Sequence, residues 1–303
     1  MYIVDMHCDT LLTVNGERGL VNDYNYSEKF PQLQFSAIFC PKGNDTPEER
    51  RKKTIRYLDV YLSECERLNL FRVRSGRDVF KATELGGRST LLSLEGGGGL
   101  FANSEELNVL LDSGLAVFGI AWDNNELCSC AYDDIDEGLT EEGRKLITRL
   151  TSEGVILDVS HMSDKSFYET MELSLMPVLA THSNFREVCA SPRNLTRNMA
   201  EKIAARGGVI GINLYPPFLK DGETAGVEDI IRHIDYGLEL VGDSAIGFGF
   251  DIDGTYNLYP IGLDEKGSIH DRVIDSLLSR YSASTVERIA GLNVIEFLKN
   301  NLP

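Results

Sequence analysis

The chain has 303 residues and an ordinary globular composition, which together permit a sizeable core and argue against disorder. Its 47 acidic and 30 basic side chains give a formal net charge of −17, which argues against binding a nucleic-acid backbone, since that needs a basic face. No apolar run is long enough to span a membrane, and the sequence begins on strand-like residues rather than on a signal peptide. We therefore expect a cytoplasmic protein without a membrane partner, whose six cysteines are mostly reduced.

Short apolar segments of β-favouring residues recur along the whole sequence. Several are apolar at almost every residue, as is typical of a parallel sheet covered on both faces. We predict eight strands, at residues 2–6, 35–39, 90–94, 115–120, 155–159, 177–180, 209–214 and 245–250.

Helical segments alternate with these strands. The first begins at Thr46-Pro47, where Glu49 completes a capping box, and runs to about residue 69. Others are predicted from residue 104 and at 139–151, 163–171, 198–206 and 227–240, and two follow the last strand, the final one opening with a capping box from Ser284 to Glu287. This alternation predicts an α/β fold, a (β/α)8 TIM barrel, with residues 1–303 as one domain.

Metal-binding side chains cluster at the carboxyl ends of the predicted strands. His7 and Asp9 follow the first strand, and their spacing of two residues places both side chains on one side. Glu95 ends the third strand, while His161 and His182 end the fifth and the sixth. All strand ends of this kind open on the face that carries the active site of a barrel enzyme. We therefore expect these five residues to form a metal site.

Imidazole and carboxylate ligands suit zinc, and also manganese, iron or cobalt. Glu95, with two oxygens, is the natural bridge between two divalent ions, which would generate a bridging hydroxide near neutral pH and polarise a carbonyl. Asp251 follows the eighth strand and is not needed as a ligand, so we predict that it is the general base and acid. Structural roles are expected for His233, in a predicted helix, and for His270, in a predicted loop.

The motifs, in their order along nearly the whole chain, resemble the renal or membrane dipeptidase family of zinc peptidases, a branch of the amidohydrolase-like barrels. Trp122 stands where mammalian members have a histidine, which resembles the bacterial members. The matching segments are His7-Cys8-Asp9, Glu95-Gly96-Gly97, Gly138-Leu139-Thr140, Asp158-Val159-Ser160-His161, His182-Ser183, Pro192-Arg193-Asn194, Gly207-Gly208-Val209, residues 249–254 and Gly291-Leu292-Asn293.

The resemblance implies how the ligands are shared between two zinc ions. His7, Asp9 and Glu95 would hold one ion. Glu95, His161 and His182 would hold the other.

The resemblance also implies the substrate. Arg193 would receive the terminal carboxylate of a dipeptide, since a guanidinium fork suits a carboxylate. Trp122 and Tyr215 are expected to contact the substrate as well. The implied activity is metal-dependent hydrolysis of dipeptides, including those with a D-configured C-terminal residue. The alternatives are hydrolysis of N-acyl amino acids or lactones on the same two metals, and metal binding without catalysis. The sequence is compatible with a homodimer.

Overall fold

A computed structural model describes residues 1–12, 19–22, 24–39, 43–123, 125–222, 224–255, 258–263 and 267–303. Its strands are β1 (Ile3–Asp5), β2 (Gln32–Phe39), β3 (Phe71–Val73), β4 (Arg88–Glu95), β5 (Leu115–Gly119), β6 (Ile156–Asp158), β7 (Leu179–Ala180), β8 (Val209–Ile212) and β9 (Ile246–Phe248). All pairings between these strands are parallel, and β1-β2-β4-β5-β6-β7-β8-β9 close into a ring in which β9 pairs with β1. The predicted (β/α)8 barrel is confirmed.

Each of the eight predicted strands corresponds to one barrel strand, whereas β3 was not predicted. Phe71–Val73 pair with residues 89–91 at the start of β4, while the later half of β4 pairs with β5. β3 therefore extends the sheet outside the ring. Arg72 separates the two apolar residues of β3, so this segment lacks the apolar run from which the barrel strands were predicted.

Helices surround the barrel and follow most of its strands. They are α1 (Pro47–Arg67), α2 (Gly76–Leu85), α3 (Glu105–Asp112), α4 (Glu141–Ser152), α5 (Asp164–Leu173), α6 (Arg197–Ala205), α7 (Pro216–Leu219), α8 (Val227–Val241), α9 (Ile269–Leu278), α10 (Ala283–Glu287) and α11 (Asn293–Asn301). A 3-10 turn spans Thr10–Leu12, and a π-helical turn, Arg288–Leu292, joins the last two helices. No helix in the described ranges has the length and apolarity needed to cross a membrane.

The helix starts test the predicted caps. The Thr46 hydroxyl accepts the N–H of Glu49, whose carboxylate accepts the N–H of Thr46 at 2.8 Å, so the first capping box is confirmed. The predicted box at Ser284 is wrong, because the hydroxyl of Ser282 caps α10 instead by accepting the N–H of Thr285.

His270 also differs from the sequence prediction. It was expected in a loop but lies in the first turn of α9, fully buried. His233 lies in α8 and is also fully buried, as the predicted helix implied.

Two apolar clusters hold the fold together. The larger packs the outer face of the strands against the surrounding helices, with Ile38, Leu94 and Phe118 among its fully or nearly fully buried members. The smaller joins strand residues such as Val4 to α2 and α11, which also pack on each other. Burial of this kind removes apolar surface from water at roughly 25 cal/mol per Å2. The clusters leave the carboxyl ends of the strands free for polar side chains.

Candidate metal centre and substrate cavity

The five predicted ligands meet at the carboxyl-terminal mouth of the barrel. Glu95 is the last residue of β4, and the other four lie a few residues beyond β1, β6 and β7. His161 has a φ of 65°, in the left-handed region that a non-glycine residue seldom adopts. Strained backbone of this kind is often found at functional sites.

One group of potential ligands consists of His7, Asp9 and Glu95. His7 Nε2 lies 3.5 Å from Asp9 Oδ2 and 3.5 Å from Glu95 Oε2. All three residues are buried, and one ligand atom from each lies within 4.8 Å of the others. Two carboxylates and an imidazole at this separation have the chemistry to hold a divalent cation.

A second group consists of Glu95, His161 and His182. Glu95 Oε1 lies 2.9 Å from His161 Nε2 and 3.1 Å from His182 Nε2, and the two histidine nitrogens are 2.9 Å apart. Glu95 thus directs its two carboxylate oxygens into different groups. Its position is that of a ligand shared by two ions.

Unpaired polar atoms test whether these residues fit a metal. His7 Nε2 and Asp9 Oδ1 are buried without a hydrogen-bond partner among the residues that the structure describes. An unpaired buried polar atom costs roughly 1–3 kcal/mol, and a bound cation would remove that cost. The donor set of imidazoles and carboxylates fits zinc or a similar divalent ion.

The electrostatics of the centre favour neutral histidines beside an ionised glutamate. Burial, reinforced by the charge of Arg193, lowers the pKa of His161 to about 4. Burial also lowers the pKa of His182, with the charge of His7 adding to the effect. Burial alone would raise the pKa of Glu95, but His7 and His161 outweigh it and hold that pKa well below its usual range. Neutral imidazole and ionised carboxylate are the forms that bind metal.

His7 differs from the other two histidines. Burial alone would lower its pKa, but the charges of Glu95 and Asp9 outweigh burial and raise that pKa well above its ordinary value. A proton and a metal ion therefore compete for the same nitrogen, because only the neutral ring can be a ligand.

Asp251 lies three residues past β9 and faces the same centre. Its φ is 59°, its Oδ2 accepts the side-chain N–H of Asn213 at 3.0 Å, and its Oδ1 is 3.9 Å from His7 Nε2. Burial raises its pKa to about 8, against the opposing charge of His7. Gly254 packs against the carboxylate so closely that an added Cβ would lie 2.2 Å from Asp251 Oδ1.

Asp253, two residues beyond Asp251, is a second candidate for proton transfer but is engaged differently. Its Oδ2 accepts the hydroxyl of Thr10 at 2.7 Å and the side-chain amide of Asn22 at 3.4 Å. Both Asp251 and Asp253 have left-handed backbone, so the alternation of a strand does not continue past β9.

A cavity of about 490 Å3 adjoins the centre. Two predicted substrate contacts, Trp122 and Tyr215, lie on its wall. Trp122 packs edge-on against Phe39 at 4.7 Å between ring centroids, and Tyr215 packs against Phe218 at 4.8 Å. No lysine or arginine of the described chain lines the cavity. The wall residues are Asp9, Leu12, Phe39, Glu95, Trp122, Asp123, Cys130, Tyr132, Asp133, His161, Tyr215, Phe218, Asp251, Asp253 and Gly254.

Arg193 lies near the cavity but not on its described wall. It is 3% exposed, and its guanidinium donates to the hydroxyl of Ser183 and to the carbonyl oxygen of His182, both at 2.8 Å. The ring of Phe218 lies 5.7 Å from the guanidinium carbon. The Nε group has no hydrogen-bond partner in the described part of the chain, so the Arg193 guanidinium keeps one free donor.

Several residues that support the centre were not predicted from the sequence. Asp158 accepts the hydroxyl of Thr181, and Asn213 orients Asp251. Asp5 is hydrogen-bonded to the buried His270, with 2.8 Å between His270 Nε2 and Asp5 Oδ2. Only Asp158 lay in a quoted motif, and the other contacts join residues far apart in sequence.

The profile of the membrane dipeptidase family, peptidase family M19, matches residues 1–301. The chain belongs to this family. The resemblance predicted from the motifs is confirmed. Members are metallopeptidases, so this M19 chain is a hydrolase of the dipeptidase type that uses a divalent metal ion.

Two curated proteins illustrate the range of the family. Dipeptidase tcpJ of Claviceps purpurea is 27% identical over 305 residues, which cover 97% of this chain and 69% of that protein. A Klebsiella pneumoniae protein, named the uncharacterized protein in the pqqA 5′ region, is 30% identical over 241 residues, or 75% of this chain and 87% of that protein.

Solved structures with the same fold include two metallopeptidases. Dipeptidase AC of family M19 has a TM-score of 0.86 at 23% identity, covering 100% of this chain and 99% of that one. A Rhodobacter sphaeroides metallopeptidase bound to a phosphinate mimic of the dipeptide L-Ala-D-Ala has a TM-score of 0.85 at 22% identity, covering 99% of both chains. At these identities the likeness shows that the barrel fold is shared.

Proposed function

We propose that the chain is a dipeptidase with a two-metal centre in which Glu95 bridges the ions. One observation carries the proposal: two ligand groups of three residues share Glu95, whose Oε2 faces His7 and whose Oε1 faces His161 and His182. Zinc is the proposed metal, because the ligands are imidazole nitrogens and carboxylate oxygens. When bound, two such ions supply an activated water near neutral pH and polarise the scissile carbonyl.

Asp251 is the proposed proton carrier. One of its oxygens is held by Asn213, while the other faces His7 and the cavity. In this position the carboxylate takes a proton from the attacking water and passes it to the leaving nitrogen.

The charge of the cavity supports a substrate with a free amino group. Beyond the metal centre, the wall carries Asp123, Asp133 and Asp253 and no described lysine or arginine. A dipeptide presents an ammonium group to these carboxylates, whereas an N-acyl amino acid presents none. The acidic wall therefore favours dipeptides over N-acyl amino acids, the alternative kept open by the sequence.

Arg193 is the proposed partner of the substrate's terminal carboxylate. Its free Nε group leaves a donor for this contact, and the Phe218 ring, which lines the cavity, lies 5.7 Å from the guanidinium carbon. Trp122 and Tyr215 line the same cavity. The proposal includes a D-configured C-terminal residue, and the L-Ala-D-Ala mimic bound by the Rhodobacter sphaeroides metallopeptidase supports it.

The test combines metal analysis with a substrate panel. Purified protein is loaded with zinc, freed of excess by gel filtration, and analysed for metal per chain. The same sample is assayed on matched L,L- and L,D-dipeptides, their N-acetyl derivatives and a lactone. We expect two zinc ions per chain and turnover of free dipeptides above that of the acetylated compounds.

Glu95→Gln provides the matched variant for the shared ligand. It keeps the size of the side chain but removes the charge that both groups use, so it should weaken both ions. His7→Ala should weaken mainly the ion of its own group. A single tightly bound metal per wild-type chain would contradict the two-metal centre, and preferred turnover of the lactone would contradict the proposed substrate.

A further inference from the structure

A chain of buried hydrogen bonds leads from Asp158 to the ligand His182. Asp158 Oδ2 is 2.5 Å from the hydroxyl oxygen of Thr181, and that oxygen is 2.8 Å from His182 Nδ1. The other oxygen of Asp158 accepts the backbone N–H groups of Ser160 and Thr181, both at 2.9 Å. Each of these four residues is at most 3% exposed, so water does not compete for the contacts.

The number of available protons determines which group donates in each of these hydrogen bonds. The Thr181 hydroxyl has one proton, and Asp158 is used as an acceptor at both of its oxygens. The hydroxyl therefore donates to Asp158, and its lone pair is left to accept a proton from His182 Nδ1. That requirement makes Nδ1 the protonated nitrogen of the neutral ring. His182 Nε2 then carries the lone pair, and this is the nitrogen that lies 3.1 Å from Glu95 Oε1.

We propose that Asp158 and Thr181 are positioning residues that set the tautomer of His182 and so present its Nε2 lone pair to the metal. The inference rests on the proposed metal centre but not on the identity of the substrate. Partners of this kind fix the ring orientation of a ligating histidine and raise its basicity, and losing one typically costs roughly 10–100-fold in metal affinity.

The backbone contacts of His182 hold the residue but leave ring Nδ1 to Thr181, while Nε2 faces Glu95 and His161. Its N–H donates to the hydroxyl of Ser160 at 3.3 Å, and its carbonyl oxygen accepts from Arg193. These contacts position the main chain and cannot distinguish one tautomer from the other. The hydroxyl of Thr181 is the contact that does.

The test is zinc affinity measured by competition with a chromophoric chelator. Thr181→Val keeps the shape of the side chain and removes the hydroxyl, while Thr181→Ser keeps the hydroxyl. Thr90→Val is the matched control, because Thr90 is also fully buried in the barrel and its hydroxyl lies 2.9 Å from that of Ser36, away from the ligands. Thermal unfolding of the metal-free proteins reports any general loss of stability.

We expect Thr181→Val to bind one of its zinc ions roughly 10–100-fold more weakly than wild type, while Thr181→Ser and Thr90→Val stay within about threefold. In the zinc-loaded wild type, long-range 1H–15N spectra should show a protonated Nδ1 on His182. Unchanged zinc affinity in Thr181→Val, an equal loss in Thr90→Val, or a protonated Nε2 on His182 would each overturn the proposal. None of these readouts uses a dipeptide, so failure here is distinct from failure of the proposed activity.

Discussion

Replacing Asp251 with asparagine removes the proposed proton carrier while changing little else. The asparagine side chain has the same shape, and its carbonyl oxygen can still accept the amide of Asn213, which now holds Asp251 Oδ2 at 3.0 Å. What is lost is basicity at the oxygen that faces His7. The barrel fold should therefore be unchanged.

The size of the effect follows from the proposed role. General acid–base catalysis accelerates a reaction roughly 10²–10⁴-fold. Its loss should therefore raise the activation free energy of the variant by about 3–5 kcal/mol. Asp251, His7 and His182 form a third group of metal-binding side chains, with ligand atoms within 4.8 Å of one another. The metal content must therefore be measured in parallel. We expect kcat on a dipeptide to fall by that factor with both metals retained.

Asp253→Asn is the matched control. Its carboxylate accepts hydrogen bonds from Thr10 and Asn22, so kcat should change by less than about tenfold, whereas the loss of a charge from the acidic cavity wall should appear in KM. Steady-state kinetics and metal analysis on the same samples separate catalysis from metal loss. Near-normal turnover in Asp251→Asn with both metals present would refute the assignment, and a large loss in Asp253→Asn would transfer the role.

Three further variants test other parts of the structure. Gly254→Ala places a Cβ 2.2 Å from Asp251 Oδ1 and 2.3 Å from Asp9 Oδ2, so competition titrations should show roughly 10–100-fold weaker metal binding, and unchanged binding would contradict the packing. Arg193→Lys should reduce the preference for a free-acid dipeptide over its amide by roughly 2–5 kcal/mol in kcat/KM, and an unchanged preference would exclude the carboxylate contact. Burial lowers the pKa of His233 to about 4, so stability should fall by up to about 3 kcal/mol as pH drops from about 6.5 to 4. Denaturant unfolding of the metal-free His233→Gln variant should lack this part of the pH dependence, and an identical pH profile would contradict it.

The ligands were predictable because residues that end different strands of a parallel barrel meet on the same face. His7, Glu95 and His182 are far apart in the chain, yet each follows a strand, and all strands end on one face. Strand ends can be recognised from apolar runs alone. The rule therefore brings the ligands together without knowledge of any pairwise contact.

Short elements and caps were harder to predict. β3 has Arg72 between its two apolar residues and so lacks an apolar run, and the four residues of α7 are too few for a helical period to appear. The sequence Ser282 to Thr285 contains several residues that can cap a helix, and the capping-box pattern pointed to Ser284. The hydroxyl of Ser282 caps the helix because α10 begins at Ala283, the next residue.

The environment of Arg193 could not be read from its motif. The sequence suggests a guanidinium that is available to a carboxylate, whereas the structure shows two of its donors already holding Ser183 and His182. Phe218, which covers the guanidinium, comes from α7, an element without a sequence pattern. Contacts between residues of different loops depend on loop geometry, which local sequence does not determine.

Four of the five ligands lie beyond the regular strands, where the ladder of backbone hydrogen bonds has ended, and carboxylates there accept the backbone N–H groups instead. Asp5 accepts the N–H of His7 at 3.3 Å and that of Phe250, beside Asp251, at 3.0 Å, which ties the end of β1 to that of β9. Asp158 ties the end of β6 to that of β7 in the same way. A buried N–H without an acceptor is costly, so each carboxylate restricts the loop conformations open to two neighbouring strand ends. Ligands held on such pinned ends are positioned before a metal binds, which is the condition for a rigid metal centre.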